Sequence, residues 1–308
     1  MADAMRRSGL RDWSLLLACN LMWASQFAMV KLVQEQMGPL FAVTFPMAIA
    51  TLLLFPLVKR KWPPTHLGGF ILLGVAGQVT AQLFVTWGVR LSLASNAALI
   101  SLALPIATAI MAAILLRERM TRMRWLSGLV ALAGVLACSG VDWRELNLTG
   151  RQFLTGNLLI LASVLGSAFY NTYSKRLLAV YSELEVLLYS YYAVLAVLIP
   201  VTLASEPATP RAVGGFGLRT WLGLAILAVF QYFLSMVIFL NVLTRLDATQ
   251  AALSNYLIPF FGVLLAAVIL GERLTWYMIA GGVLVLASTV MATMLDSRSG
   301  AKSEDHMI

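Results

Sequence analysis

The chain has 308 residues, 60% hydrophobic and 12% charged, with a mean hydropathy of +0.84, a composition that belongs to a protein dissolved mostly in lipid. At about 20 apolar residues per spanning helix the length allows about ten spans, which leaves no room for a soluble domain, and the unbroken apolar runs exclude a β-barrel. The net charge of +8 sits on Lys and Arg at the ends of those runs, which is a topology signal and excludes nucleic acid as a partner.

Taken in chain order, apolar runs between charged or Pro/Gly punctuation predict ten membrane segments. They are Leu10–Gln34, Leu40–Val58, Leu67–Val89, Ser95–Leu116, Arg122–Gly140, Gln152–Leu178, Glu185–Ala204, Leu218–Leu243, Thr249–Leu270 and Thr275–Leu295. Arg6, Arg7 and Arg11 before Leu15–Cys19 loosely resemble a cleavable signal, but the run continues past Asn20, Trp23 and Gln26 to Val33, the length of a retained helix. The expected layout is an all-α integral membrane protein. It has a cytoplasmic N-terminus over 1–9, one five-helix repeat over 10–140, a connecting loop over 141–151, a second repeat over 152–295, and a disordered cytoplasmic tail over 296–308.

The halves repeat. Shifted by 154, Ser95–Gly134 falls on Thr249–Ser288 with 13 identities in 40 positions, pairing Pro105 with Pro259, Glu118 with Glu272, Arg119 with Arg273, Thr121 with Thr275 and Gly128 with Gly282. Earlier in each half a shift of 144 pairs Ala24 with Ala168, Lys31 with Lys175 and Pro56 with Pro200, and the difference is taken up by a longer loop at Ser205–Gly217. A five-helix unit is odd-numbered, so its second copy enters the membrane from the opposite side, the plan of secondary transporters that bind substrate near the midplane. With the N-terminus inside, 15 Lys and Arg fall on the cytoplasmic side and 7 on the other, which predicts that both termini are cytoplasmic.

On these residues the chain resembles the drug/metabolite transporter superfamily, EamA type. The resemblance rests on ten helices in two repeats, Trp-Ala-x-x-Phe-x-x-x-Lys at Trp23–Lys31, and Pro-x(12)-Glu-Arg in both halves. It covers about residues 10–295 and looks most like amino-acid and metabolite exporters of the YddG kind. It implies an inner-membrane exporter working by alternating access, with multidrug or other metabolite export as the alternative.

The polar residues inside the runs are the candidate substrate contacts. Pro105 and Pro259 each remove a backbone donor near mid-helix and free the carbonyl four residues earlier, at the repeat-equivalent Ser101 and Asn255. Such matched interruptions are read either as hinges lining a transport path or as packing kinks. Gln78, Gln82 and Thr86 share one face of the third segment, and Gln231 and Ser235 share one face of the eighth, beside Tyr232. Asn20, Trp23 and Gln26 on the first segment, Tyr170, Asn171 and Tyr173 on the sixth, and Gln250, Ser254 and Tyr256 on the ninth complete the set. Any one of them alone reads first as interhelical glue; several stripes converging on a central space favour a polar cavity.

Charge narrows the substrate. No Asp or Glu lies near mid-depth of a predicted segment, and Lys31 and Lys175 lie toward segment ends where long cations snorkel. Amides, hydroxyls and aromatics suit a neutral or zwitterionic small molecule, and neutral and aromatic amino acids fit. Two cysteines and two histidines leave little material for a disulfide framework or metal site. Neither cofactor, catalytic motif nor partner protein beyond the lipid bilayer is expected, and the chain reads as no enzyme. Glu118-Arg119 and Glu272-Arg273 are expected to bond to the cap of the following helix at Thr121 or Thr275, or to pair with Arg. Gly128, Gly134, Gly281 and Gly282 are expected to permit close helix packing.

Overall fold

The structure is a computed structural model that describes residues 2–59, 64–92, 100–118, 121–138 and 154–258, with residues 261, 276, 280, 283, 284, 287 and 288. Every regular element among the described residues is helical. Chain order gives α1 (Ala2–Ala24), α2 (Gln26–Val33), α3 (Pro39–Leu54), α4 (Leu67–Leu72), α5 (Thr80–Leu91), α6 (Leu104–Leu115), α7 (Arg122–Cys138), α8 (Leu154–Leu177) and α9 (Glu183–Ser205). After a single turn at Thr209–Ala212 come α10 (Leu218–Ile226), α11 (Ser235–Leu243) and α12 (Ala248–Leu253). Among the described residues five helical runs are long and apolar enough to cross a membrane: Pro39–Leu57, Leu67–Gly88, Leu154–Leu177, Glu183–Ser205 and Leu218–Leu243. Leu104–Leu115 and Trp125–Gly134 are shorter apolar helices. Leucines such as Leu52, Leu218 and Leu222 point outward, as a lipid-facing surface requires.

Among the described residues several expected segments are interrupted. The first breaks at Ser25, whose hydroxyl donates to Met22 O at 2.7 Å and tightens the turn between α1 and α2. The third and eighth carry π-helical stretches, Leu73–Val79 between α4 and α5 and Leu227–Leu234 between α10 and α11. A shift of 154 lays one stretch almost residue for residue on the other. Nothing in periodicity had marked them, because one extra residue per turn leaves no pattern in so short a run.

Pro105 differs from expectation. Rather than kinking a continuous helix, it lies in the first turn of α6, preceded by a turn at Leu102–Ala103. Proline favours that place because its missing N–H would have no intrahelical acceptor there. The repeat-equivalent turn is also tightened, as a 3-10 stretch at Ser254–Tyr256 after α12. Pro259, Glu272, Arg273, Gly281 and Gly282 lie outside the described residues.

Small residues set the helix approaches. A Cβ on Gly77, in the first π-helical stretch, would lie 3.3 Å from Tyr170 Cα, and one on Gly88 of α5 would lie 3.0 Å from Gly156 O and 3.1 Å from Ile160 N, so this segment approaches α8 backbone to backbone. Gly128, expected to do this, would meet only the Leu253 side chain at 3.4 Å, an ordinary contact.

Glu206, in the loop after α9, accepts from the N–H groups of Leu40 at 2.9 Å and Phe41 at 3.0 Å, and so caps α3 from a distant part of the chain. Glu206→Ala should lower stability by about 1–2 kcal/mol, the scale of a lost charged cap. A melting temperature in detergent equal to the parent's would refute it.

Charged groups gather at the opposite end of the bundle. Arg245 donates to Asp12 at 2.7 and 2.9 Å, and that hydrogen bond holds the guanidinium still more firmly charged than usual. Asn241 donates to Glu183 at 3.1 Å. Glu118, expected to bond to the cap of the following helix or to pair with Arg, reaches α12 in the other half and pairs with Lys175 at 3.3 Å. The turn after α6 aims Glu118 across the bundle rather than along the chain. We call this the basic end, since Arg245 and Lys175 lie there.

Candidate polar site

Gln26 opens α2 just past the break at Ser25, which brings its amide into the space between the two π-helical stretches. Gln231 Nε2 donates to Gln26 Oε1 at 2.9 Å, and Gln26 Nε2 donates to Gln82 Oε1 at 3.2 Å. The Tyr232 hydroxyl also donates to Gln82 Oε1, at 3.4 Å. Three segments of the chain are thus tied by one amide chain. Tyr191 of α9 donates to the Tyr232 carbonyl at 2.6 Å.

One turn from Gln82, Gln78 is buried beside Tyr170 and Ser190. Neither Gln78 Oε1 nor the Tyr170 hydroxyl closes a hydrogen bond of ordinary length with the protein. Asn20 is fully buried, donating to Leu16 O at 2.7 Å and to Ser254 Oγ at 2.9 Å, and this second bond joins α1 to the turn after α12. Its Oδ1 has no partner, and the same holds for Gln231 Oε1 and Asn255 Oδ1.

Among the described residues seven buried side-chain polar atoms lack a partner in the protein, and five belong to residues the sequence had marked as substrate contacts. A buried unpaired group costs about 1–3 kcal/mol, so a cluster of them calls for an explanation that packing does not give. Thr108, fully buried on α6 with its hydroxyl unpartnered, was missed by sequence reading, as was Tyr191. Tyr191 stands in Tyr189-Ser190-Tyr191-Tyr192, a dense run of hydroxyls inside an apolar segment that could have been noticed.

The aromatic candidates divide. The Trp23 ring lies 5.2 Å from that of Phe239, half-buried at the end of α1. Tyr232 is buried in the amide chain, and Tyr170 is its neighbour through Tyr191. Tyr256 is buried away from that chain, lining a small apolar hollow of about 20 Å³ with Pro105, Leu253 and Trp125. Asn171 is buried on α8 and Ser101 is half-buried before α6. The structure therefore joins Gln26, Gln82, Gln231 and Tyr232 in one network, places Gln78 with Tyr170 and Asn20 with Ser254, and shows no bond linking Tyr256 or Ser101 to them.

Charge stays at the ends. Of the described carboxylates that make bonds, Glu118, Glu183, Glu185, Glu206 and Asp247 sit at helix termini or in connecting loops, and Asp12, buried midway along α1, is tied to Arg245 at the basic end. Among the described residues no group of three His, Cys, Asp or Glu could hold a metal.

The chain is similar to known proteins along its length. A 27% identical "probable terminal-alkyne amino-acid exporter" of Streptantibioticus cattleyicolor matches over 91% of this chain and 92% of its own. A 28% identical "probable amino-acid metabolite efflux pump" of Salmonella typhimurium matches over 90% and 93%. An uncharacterized transporter of Archaeoglobus fulgidus is 27% identical over 90% and 96%. A crystal structure at 18% identity superposes with a TM-score of 0.79 over 94% of this chain and 98% of that one, a likeness of fold alone. The EamA-like transporter family matches twice, over residues 13–140 and 154–294. The chain, an integral membrane transporter, belongs to the EamA-like transporter family.

Proposed function

We propose that the chain is a secondary transporter that exports small neutral or zwitterionic metabolites, above all neutral and aromatic amino acids, by alternating access. The observation that carries this is the set of unpartnered buried amide and hydroxyl atoms, on Asn20, Gln78, Tyr170, Gln231 and Asn255, in an interior whose charges stay at its ends. An amino-acid head group brings N–H donors to such oxygens and a carboxylate to amide N–H groups and the Tyr170 hydroxyl, with no fixed ion to favour one charge. Two relatives of similar length are named as a probable terminal-alkyne amino-acid exporter and a probable amino-acid metabolite efflux pump, which supports this reading. Flux of labelled amino acids into proteoliposomes tests the reading, with cationic dyes and sugar phosphates alongside. Dye flux without amino-acid flux would replace it with multidrug export.

The architecture that goes with this function is ten helices in two inverted five-helix repeats. The double family match and the paired π-helical stretches support it. In that arrangement the basic end faces the cytoplasm together with both termini, in the inner membrane. An impermeant thiol reagent reaching a cysteine at Lys302, but not one at Ala208, from outside intact cells would reverse the orientation.

Pro105 acts as a hinge in this scheme, since it starts α6 beside a turn that a second state would have to rebuild. Pro105→Ala is expected to slow transport several-fold while shifting the melting temperature little, because alanine is accepted in a first helical turn. Normal transport by the folded variant would make the proline a passive packing feature.

A further inference from the structure

The N-terminus of α12 is held by a side chain from the other half of the molecule. Glu118 follows α6; its carboxylate accepts from Ala248 N at 2.9 Å, Thr249 N at 3.1 Å and Thr249 Oγ1 at 2.9 Å. The helix has a capping box of its own, in which Gln250 Oε1 accepts from Asp247 N at 2.9 Å. Glu118 takes the next two N–H groups, which the box leaves over. Lys175, at the end of α8, donates to Leu246 O at 2.6 Å and lies 3.3 Å from Glu118 and 3.4 Å from Asp247. Three elements distant in sequence therefore close on one carboxylate, whose side chain is only 9% exposed.

The backbone is bent to make this contact. Arg117 adopts a left-handed conformation, φ 59°, which an L-residue takes only at a cost. The turn it forms lets Glu118 N donate to Ala112 O at 3.2 Å, closing α6 and directing the carboxylate toward α12. Just beyond α12, Ser254 and Asn255 belong to the polar site, and Ser254 is bonded to Asn20 of α1. Whatever moves the start of α12 also moves one wall of that site.

We propose that Glu118 is the interlock that holds the basic end of the transporter shut, and that opening this end requires its carboxylate to leave the N-terminus of α12. This rests on the alternating-access reading. The contact has the properties an interlock needs. It joins the two halves rather than neighbours in one half. Its strength comes from a charge meeting a helix N-terminus and an ammonium, interactions that water can replace when the end opens. An apolar contact in the same place would expose greasy surface each cycle; this one exchanges protein hydrogen bonds for water.

The test reads access rather than transport, so it stays readable even if the amino-acid panel gives no flux. A single cysteine replaces Ala252, fully buried on α12, in a background with Cys19 and Cys138 changed to Ser. An impermeant maleimide is applied to the reconstituted protein from each face in turn. The face from which a control cysteine at exposed Thr244 reacts defines the basic end. With Glu118→Gln, which keeps an acceptor but loses the charge, labelling at position 252 should rise about tenfold from the basic end and not from the other. Lys175→Gln, which leaves the carboxylate on α12, should move the rate in the same direction by a smaller factor, and it keeps the test alive if the Glu118 variant misfolds. Arg117→Gly, which accepts the same backbone, should label like the parent. Unchanged rates in folded Glu118→Gln and Lys175→Gln would overturn the proposal, as would an equal rise from both faces, which marks a purely structural cap.

Discussion

Gln78→Ala is expected to lower the flux of every amino acid in a mixed panel by about tenfold or more, while Trp23→Ala selects among them by size. The Gln78 side chain is 3% exposed, its Oε1 has no partner in the protein, and Tyr170 lies beside it with an unpartnered hydroxyl. In a transporter of amino acids that pair faces the part every substrate shares. A hydrogen bond to a charged group contributes about 1.5–3 kcal/mol, which is roughly a 10- to 150-fold change in an equilibrium constant. Truncation to alanine also empties space next to Tyr170, so the loss should not fall below that range. Trp23 stands differently: half-buried and 5.2 Å from Phe239, it offers a ring face to an apolar side chain. Aromatic packing adds about 0.5–1.5 kcal/mol beyond burial, so Trp23→Ala should cost bulky substrates roughly 2- to 10-fold and leave alanine or glycine near the parent rate. Initial rates in proteoliposomes, normalised to folded protein, give both ratios. A Gln78 variant that loses only aromatic substrates, or a Trp23 variant that loses all equally, would break the division of roles.

The five long spans among the described residues were legible because lipid forces them to be. Backbone polar groups in hydrocarbon must be satisfied within the helix, so each crossing is written as a run of apolar residues, and Leu218–Leu243 is recovered with the same limits. The polar candidates were legible for the converse reason, since an amide inside such a run is conspicuous. What sequence could not supply was who meets whom. Glu118 was expected to bond near Thr121, a few residues away, whereas its partners are Ala248 and Thr249, brought near only by the packing of α6 against α12. The paired π-helical stretches were equally hidden: LGVAGQV and LAVFQYFL share little beyond their place in the repeat. Their common feature is a neighbour, because each stretch carries or borders the glutamine and tyrosine contacts of the amide network. A π turn rotates the residues that follow it, and this is how Gln78 and Gln82 come to address different partners on one face.

Gly166→Ala, a single added methyl, should destabilise the protein more than most substitutions of a large core side chain by one slightly smaller. A Cβ at 166 would lie 2.8 Å from both Ala81 N and Thr80 Cβ and 3.0 Å from Gly77 O. Two of these are backbone atoms at the junction of the π-helical stretch with α5, so no side chain can swing aside to make room. Relief requires α5 and α8 to separate, and the same seam is held elsewhere by Gly88 against Ile160 and by Gly156 against the Leu91 carbonyl. Overpacking a close-packed contact costs about 1–3 kcal/mol, and a rigid pair of backbones places this case at the upper end. Separation would also draw Gln78 away from Tyr170, since Gly77 packs on Tyr170 within the same seam. The functional loss should therefore spread to the whole substrate panel. Gly68→Ala is the matched control: in α4, with nothing within 4 Å of its added Cβ, it should leave the melting temperature unchanged or raise it, because alanine is the better helix former by about 0.5–1 kcal/mol. Thermal melts of the two variants in the same detergent decide the matter. If Gly166→Ala melts with the parent, the α5–α8 seam is looser than its distances require, and Gln78 and Tyr170 owe their alignment to some other contact.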